Sequence, residues 1–368
     1  MSKKTINLAL QGGGAHGAYT WGVLDRLLDE DKLEIEGISG TSAGAMNAAM
    51  MLCGYMDGGR SGARRYLETF WKRISETAAY SPLHKSAIER MMTGWNLDAS
   101  PMYHTFDILS RLFSPYELNP LNINPMRYIL EEMIDPEVLR ASNDIKLFIA
   151  ATHVASGQAR IFQCHELTTE VLLASACIPF LFQAVEIDGD HYWDGGYMGN
   201  PAIWPLIYHC DSRDVVLVQI NPIHDDRLPK SAPEIINRLN EISFNSSLIA
   251  EMRAIDFVTR LIEQGKLNQD EYKKMHLHLV YSPAQMHNLN ASSKMNADWD
   301  FFRYLRDIGR ADADTWLTEN WKHVGMRSSL GIRSKFLCRP PTETLPSKAH
   351  SLGGKTKKPP AKTAKKKS

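Results

Sequence analysis

The chain has 368 residues and a formal net charge of zero, and 43% of its residues are hydrophobic. This length supports a large buried core, arranged as one large domain or as a domain with a helical extension. No stretch approaches the roughly 20 apolar residues that span a bilayer, so we expect no membrane-spanning helix. The five cysteines show neither paired nor metal-type spacing, which favours reduced thiols in a cytoplasmic protein over a disulfide framework.

The first elements predicted are a strand, a glycine-rich turn and a helix. The apolar run 6–10 predicts the strand, and it stops at Gln11, far short of the apolar core of a signal peptide. Three consecutive glycines follow at once, namely Gly12, Gly13 and Gly14. The helix is indicated by apolar side chains at helical spacing: Ala18, Trp21, Leu24 and Leu28.

Two interpretations fit the glycine-rich run. Gly12-x-Gly14-x-x-Gly17 satisfies the dinucleotide-binding fingerprint, and an acidic residue lies near the expected place at Glu34 or Glu36. In an acyl hydrolase the same run has another role, because consecutive N–H groups without side chains can converge on the carbonyl oxygen of the substrate. The run alone therefore leaves a nucleotide-dependent enzyme open.

A second glycine-flanked turn contains a serine. The apolar segment 35–38 predicts a strand that enters this turn, and the Ala- and Met-rich segment 43–52 predicts a helix that leaves it. Gly40 and Gly44 flank Ser42 in the Gly-x-Ser-x-Gly pattern, which exposes a nucleophile at a helix N-terminus. The alternative is a serine that merely caps a buried helix.

The segment 81–125 mixes Pro, Met and aromatic residues without sustained periodicity, after a predicted helix at 63–77. We expect it to arch over the sheet. It either lines an acyl pocket or touches a membrane, or it forms irregular core packing with short helices.

Strands alternate with helices through the first 220 residues. Strand-like runs resume at 145–151 and 215–220, and helical material that includes 168–176 separates them. This alternation predicts an α/β fold with a mostly parallel central sheet covered by helices on both faces.

Residues 221–338 are predicted to form a mainly helical C-terminal extension packed on the core. The segments 231–263 and 298–317 carry apolar residues at helical spacing, and 277–280 predicts a late strand. Their pattern does not choose between shaping the substrate site and forming a dimer interface, so the oligomeric state stays open.

A carboxylate occurs in a third glycine-rich turn. Asp194 follows an aromatic pair and precedes Gly195 and Gly196. Such a turn can hold the carboxylate against Ser42 as a base, although Asp-Gly-Gly is also an ordinary turn sequence.

In this order and at this separation, the three motifs resemble those of the patatin-like phospholipases, a family of lipid acyl hydrolases. The resemblance rests on 12–17, 40–44 and 194–196, and it covers roughly residues 5–220. It implies an acyl hydrolase domain over residues 1–220 with a fold related to the α/β-hydrolases. One departure is visible, because the family often carries Arg or Lys where this chain has His16.

The resemblance also implies a mechanism and site residues. Ser42 would be the nucleophile and Asp194 the general base of a Ser-Asp dyad, with the amides of Gly12, Gly13 and Gly14 as the oxyanion hole. The implied reaction cleaves a lipid ester in the manner of a phospholipase A or lysophospholipase, through an acyl-enzyme. Neither a metal nor another cofactor is expected.

From the residues alone a Ser-Asp-His triad stays open, because histidines follow Asp194 in the chain order of the α/β-hydrolases, among them His209, His224, His276 and His278. Two of them alternate along the late strand and point to one face, where a solvated or hydrogen-bonded strand face is favoured over metal binding.

The C-terminal segment differs in kind from the rest of the chain. The segment after Glu343 contains eight lysines and no acidic residue. Because the whole chain is neutral, residues 1–343 carry a formal charge of −8. The composition predicts a disordered Lys-rich tail over 339–368. The composition leaves two interpretations of the tail open, peripheral contact with an anionic membrane or a solvated tail without a dedicated partner, and nucleic acid is not expected as a partner. A non-catalytic adaptor that binds lipid through the tail is the second competing class.

Overall fold

The computed structural model describes residues 3–79, 94–98, 100–142, 144–225, 227–286 and 288–337. The predicted tail and residues 81–93 of the irregular segment lie outside these ranges.

Within the described residues, eight strands form one sheet in the order β5-β6-β3-β2-β1-β7-β8, and β4 pairs with β3 as well. Strands β1, β2, β3, β7 and β8 are parallel neighbours, whereas β4, β5 and β6 pair antiparallel. The predicted mostly parallel sheet is thus confirmed. The strands are β1 (Lys4–Leu10), β2 (Leu33–Thr41), β3 (Lys146–His153), β4 (Ala159–Gln163), β5 (Val185–Ile187), β6 (Asp190–Asp194), β7 (Asp214–Val218) and β8 (His276–Val280).

Helices cover the sheet. Among the described residues, none of them combines the length and apolar character that crossing a bilayer requires. The helices are α1 (Gly17–Leu27), α2 (Ala43–Ala78), α3 (Pro101–Leu112), α4 (Pro115–Leu118), α5 (Pro125–Met133), α6 (Pro136–Arg140), α7 (Thr169–Ser175), α8 (Trp204–His209), α9 (Ala232–Glu263), α10 (Pro283–Met286) and α11 (Trp299–Asn320).

The sheet separates two apolar cores, so its central strands are buried on both faces. On β1, Ile6 and Leu8 enter one core together with Trp21 of α1. The intervening Ala9 faces the other core, where Leu206 of α8 packs. Both faces of β1 are therefore buried, as the prediction of helices on both sides requires.

Two of the predicted helices follow one another across a kink. The segments 43–52 and 63–77 lie on either side of Gly58 and Gly59 in α2, where the backbone angles are not helical. Glycine permits this bend because it lacks a Cβ atom.

The predicted C-terminal extension joins the same sheet and the same core. Strand β8 pairs with β7, and α11 packs along α1. The two helices approach closely through small residues, because a Cβ atom on Gly22 would lie 2.0 Å from the Arg306 carbonyl oxygen and one on Gly309 would lie 2.1 Å from that of Tyr19. The division into domains at residue 220 stays a prediction.

We expect Gly309→Leu to lower the melting temperature by about 2–10 °C, because the new side chain forces α11 away from α1 and overpacking costs about 1–3 kcal/mol. Thermal unfolding of the purified variant measures this effect. Ala311→Leu, on the exposed face of the same helix, is the matched control and should melt within about 1 °C of the wild type. Equal melting temperatures for the two variants would contradict the described contact.

Candidate functional site

Ser42 and Asp194 come together because β2 and β6 lie end to end along one edge of β3. Strand β2 pairs with β3 as far as Thr41 opposite Ala150, and Asp194 lies opposite the next residue, Ala151. The other edge of β3 is occupied by β4 over the same residues. Because β2 and β6 end at this point, the Ser42 hydroxyl lies close enough to interact with the Asp194 carboxylate.

Ser42 occupies a strained turn between β2 and α2. Its φ of 54° and ψ of −121° place a non-glycine residue in a region that L-residues rarely adopt. The Ser42 N–H donates to the Ser175 Oγ at 2.9 Å, and that hydroxyl donates to the Ala150 carbonyl oxygen at 2.7 Å. Ser175, a residue that the sequence patterns did not single out, thus links the strained turn to β3.

The two glycines of this turn are where close packing requires them. A Cβ atom on Gly44 would lie 2.3 Å from the Leu10 carbonyl oxygen, and one on Gly40 would lie 2.8 Å from the carbonyl carbon of Gly44. Larger residues would therefore separate β1, β2 and the first turn of α2.

Asp194 is held by its backbone and is only 3% exposed. Its N–H donates to the Cys177 carbonyl oxygen at 2.8 Å, and its own carbonyl oxygen accepts from the Thr152 hydroxyl at 2.8 Å. The carboxylate Oδ1 accepts the Gly196 N–H at 2.7 Å. These contacts fix the carboxylate in one orientation beside the serine.

The environment gives Asp194 an unusual acidity. Burial raises its pKa to about 7, although the Gly196 N–H and the Ser42 hydroxyl both favour the charged form. A carboxylate with this pKa exchanges protons readily near neutral pH, as a general base must.

The glycine-rich loop packs directly against the serine. A Cβ atom on Gly12 would lie 2.7 Å from the Ser42 Cβ. The Gly12 N–H donates to the Asn200 Oδ1 at 2.7 Å. Within the described part of the chain, the amides of Gly13 and Gly14 donate to no protein acceptor. Two of the three predicted oxyanion donors thus have unengaged amides, whereas Gly12 already has an acceptor.

Three buried carboxamides hold this loop, and the sequence patterns gave no signal for them. Gln11 Oε1 accepts the N–H groups of Ile220 and Asn221 at 2.8 and 2.9 Å. Asn221 Nδ2 donates to the Gly12 carbonyl oxygen at 2.8 Å. Together with Asn200, these side chains satisfy the backbone of a buried turn.

His16 is buried and neutral. Its Nε2 lies 2.7 Å from the Ser293 Oγ, and Ser293 donates its own proton to the Asn290 carbonyl oxygen. The imidazole must therefore donate through Nε2. Burial and the charge of Lys294 hold its pKa well below the usual value. His16 consequently supplies no positive charge to the loop.

No histidine of the described residues hydrogen-bonds Ser42 or Asp194. His209 is exposed and stacks on Phe148, with ring centroids 5.6 Å apart, and His224 is exposed as well. The Ser-Asp-His triad that the chain order left open therefore has no support from the contacts of the described residues.

The remaining pair, His276 and His278, contacts a carboxylate. Both imidazoles contact Asp214 at the first residue of β7, at 3.4 and 3.0 Å respectively. The hydrogen-bonded strand face predicted from their alternation is confirmed. Among the described residues, no group of three or more His, Cys, Asp or Glu side chains is arranged to hold a metal ion.

Comparison with known families decides between the interpretations of the glycine run. The sequence profile of the Patatin family, described as patatin-like phospholipase, matches residues 8–207. The chain belongs to this family. It is accordingly an esterase of the phospholipase kind, as the resemblance implied.

Among solved structures, the chain is similar to VipD from Legionella pneumophila at 15% identity and a TM-score of 0.34, covering 83% of this chain and 67% of that one. It is also similar to a chain of the ExoU–SpcU complex from the type III secretion system of Pseudomonas aeruginosa, at 14% identity and a TM-score of 0.37. That match covers 91% of this chain and 58% of the other. None of the curated proteins compared with the chain matches it.

We expect Asp194→Asn to melt about 2–5 °C above the wild type at pH 8. The pKa of Asp194 in the folded protein, about 7, exceeds that of the unfolded chain. Stability from this group is therefore complete at low pH and is lost as the pH rises through 7, whereas asparagine has no charge to bury.

Thermal unfolding at pH 5 and pH 8 measures this difference, which should shrink at pH 5. A variant that melts well below the wild type at pH 8 would contradict the described burial, since asparagine can still accept the Gly196 N–H.

Proposed function

We propose that this protein hydrolyses lipid esters through an acyl-enzyme, with Ser42 as the nucleophile and Asp194 as the general base. The observation that carries the proposal is the meeting of a strained, supported serine and a buried carboxylate with a pKa of about 7 at one point on β3. No third group is needed, because the carboxylate interacts with the hydroxyl directly.

In this mechanism Asp194 accepts the Ser42 proton while Oγ attacks the ester carbonyl carbon. Asp194 then returns the proton to the departing alcohol as the tetrahedral intermediate collapses to the acyl-enzyme. Water, deprotonated by Asp194, attacks the acyl-enzyme, and the fatty acid leaves as Ser42 recovers its proton. The carboxylate thus alternates between base and acid at each half-reaction.

The unengaged amides support a narrower proposal for the oxyanion donors than the one made from the sequence. We assign this role to Gly13 and Gly14, because the Gly12 N–H is donated to Asn200. Gly12 would instead hold the loop against Ser42. Preorganised backbone donors of this kind contribute about 3–4 kcal/mol each to lowering a barrier.

A set of eight exposed, large apolar side chains within residues 102–123 supports a lipid substrate presented at an interface. We call this set the apolar rim. Its segment is linked toward the site by hydrogen bonds, since Tyr116 of the same segment accepts the Ala184 N–H at 3.2 Å and Cys177, which accepts the Asp194 N–H, donates its thiol to the Gln183 carbonyl oxygen. The rim comprises Met102, Ile108, Leu109, Leu112, Phe113, Leu118, Leu121 and Ile123.

Eight exposed, large apolar side chains in so short a segment favour contact with lipid. We therefore propose a phospholipase A or lysophospholipase type of reaction on lipid held in a membrane. The Lys-rich tail would add a salt-dependent attraction to anionic lipid, and a peripheral location in the cytoplasm follows from this proposal.

We expect Ser42→Ala to lower kcat on a soluble p-nitrophenyl acyl ester by at least about a thousandfold, with a melting temperature within about 1 °C of the wild type. Asp194→Asn should lose activity to a similar extent. For the wild type, kcat/KM should rise with pH around a midpoint of about 7, as Asp194 loses its proton. Initial rates from pH 5 to pH 9 measure both effects.

Ser61→Ala, an exposed serine in α2, is the matched control and should keep full turnover. Hydrolysis that survives in folded Ser42→Ala would refute the proposed nucleophile.

We expect the double substitution Leu112→Gln and Leu121→Gln, both in the apolar rim, to lower hydrolysis of phospholipid vesicles at least about a hundredfold, because burying these side chains in lipid contributes about 1.5–3 kcal/mol each. Turnover of the soluble ester should stay within about twofold. Release of fatty acid from vesicles and of p-nitrophenol measures the two activities. Met326→Gln, at an exposed position outside the rim, is the control, and equal losses on both substrates would contradict the role of the rim.

A further inference from the structure

Lys294 carries a charge that no acid of the described residues neutralises by a salt bridge. The residue lies in a 3₁₀ turn, Ala291–Met295, that packs on the glycine-rich loop, where a Cβ atom on Gly14 would lie 2.6 Å from the Lys294 carbonyl oxygen. Its ammonium donates to the Asn221 Oδ1 at 2.8 Å. A partly buried cation without a counter-ion is costly, so its position requires an explanation.

Asn221 connects this ammonium to the loop. Its Nδ2 donates to the Gly12 carbonyl oxygen at 2.8 Å, while its own N–H is held by the Gln11 side chain. The Gly12 carbonyl and the Gly13 N–H belong to the same planar trans peptide unit, in which they point in opposite directions. Fixing the carbonyl toward Asn221 therefore directs the Gly13 N–H away from it.

The Lys294 ammonium, the Asn221 carboxamide and the Gly12–Gly13 peptide also polarise one another in the same direction. The ammonium draws electron density from the Asn221 carboxamide, which makes its Nδ2–H a stronger donor to Gly12. The polarised Gly12–Gly13 peptide in turn has a more positive N–H. Hydrogen bonds arranged in a chain strengthen one another in this way, and most of all where a charged group begins the chain.

We propose that Lys294 is a positioning residue of the hydrolase site, which acts through Asn221 to orient and polarise the Gly13 amide for the oxyanion. The inference rests on the proposed function and deepens it. It assigns the cation of the site to the C-terminal part of the chain, whereas the residue in the loop itself, His16, is neutral.

The proposal predicts an alkaline limit to turnover. Burial lowers the pKa of Lys294 from its usual value, and the titratable groups that act on it or respond to it are Glu241 of α9 and His16 of the loop. Glu241 is paired with Arg238, and His16 is already neutral. As the pH rises through the pKa of Lys294, the cation is lost and kcat should fall.

The test compares Lys294→Met and Lys294→Arg with the wild type on the soluble p-nitrophenyl ester. We expect Lys294→Met to lower kcat about 10- to 100-fold with KM within about twofold, because the lost interaction acts on the transition state. Lys294→Arg should restore most of kcat and move the alkaline limit upward, because a guanidinium stays charged. Lys335→Met, which removes another partly buried lysine with a lowered pKa, is the matched control and should leave kcat unchanged.

A double-mutant cycle tests the route through the carboxamide. Asn221→Leu should lower kcat to a similar extent, and adding Lys294→Met to it should lower kcat no further. Additive losses would overturn the proposed route. Equal kcat values and an equal alkaline limit in Lys294→Met and the wild type would overturn the proposal itself.

A second measurement needs no turnover, which separates failure of this proposal from failure of the proposed function. A wild type without activity on every ester would refute the proposed hydrolysis alone. Hydrogen exchange of the Gly12 amide, which is bonded to Asn200, should be at least about fivefold faster in Lys294→Met than in the wild type, and restored in Lys294→Arg. Unchanged exchange would overturn the positioning role whether or not the protein is active.

Discussion

The sharing of one edge of β3 by β2 and β6 is the constraint on which the site depends. Parallel pairing brings the end of β2 to Ala150, and antiparallel pairing brings the end of β6 to Ala151. Two residues 152 positions apart in the chain thus become neighbours through backbone hydrogen bonds alone. The opposite directions of the two strands allow both chain ends to leave the sheet at the same point. The pairing of the sheet thus fixes where the Ser42 and Asp194 side chains lie.

The sequence predicted those parts of this arrangement that are local. The turn around Ser42 and the glycine run are recognisable because their conformations permit few residue types, and the long strands and helices follow from apolar periodicity. Strands β4, β5 and β6 were not predicted, since they lack the continuous apolar run of β7 and form by antiparallel pairing, β4 and β6 with β3 and β5 with β6. The placement of Asp194 beside Ser42 was expected only from the family resemblance.

The supporting residues could not be predicted for a different reason. Asn200, Asn221 and Lys294 belong to no motif, and each reaches the loop from a segment at least 180 residues away in the chain. Ser175 is likewise an ordinary residue near the end of α7. What selects an amide or a hydroxyl at these positions is the need to satisfy buried backbone groups of one turn, and that need exists only in the folded protein.

The contact of Lys294 with the loop has a consequence for the order in which the chain is made. Synthesis runs from the N-terminus, so the glycine run, Ser42 and Asp194 all leave the ribosome before residue 294 exists. The turn that bears Lys294 leads directly into α11, and α11 packs on α1, the helix that follows the glycine run. A nascent chain can therefore contain every motif residue while its loop still lacks this support. The glycine-rich loop is thus fully held only after β8, the turn that bears Lys294 and α11 have been synthesised and packed.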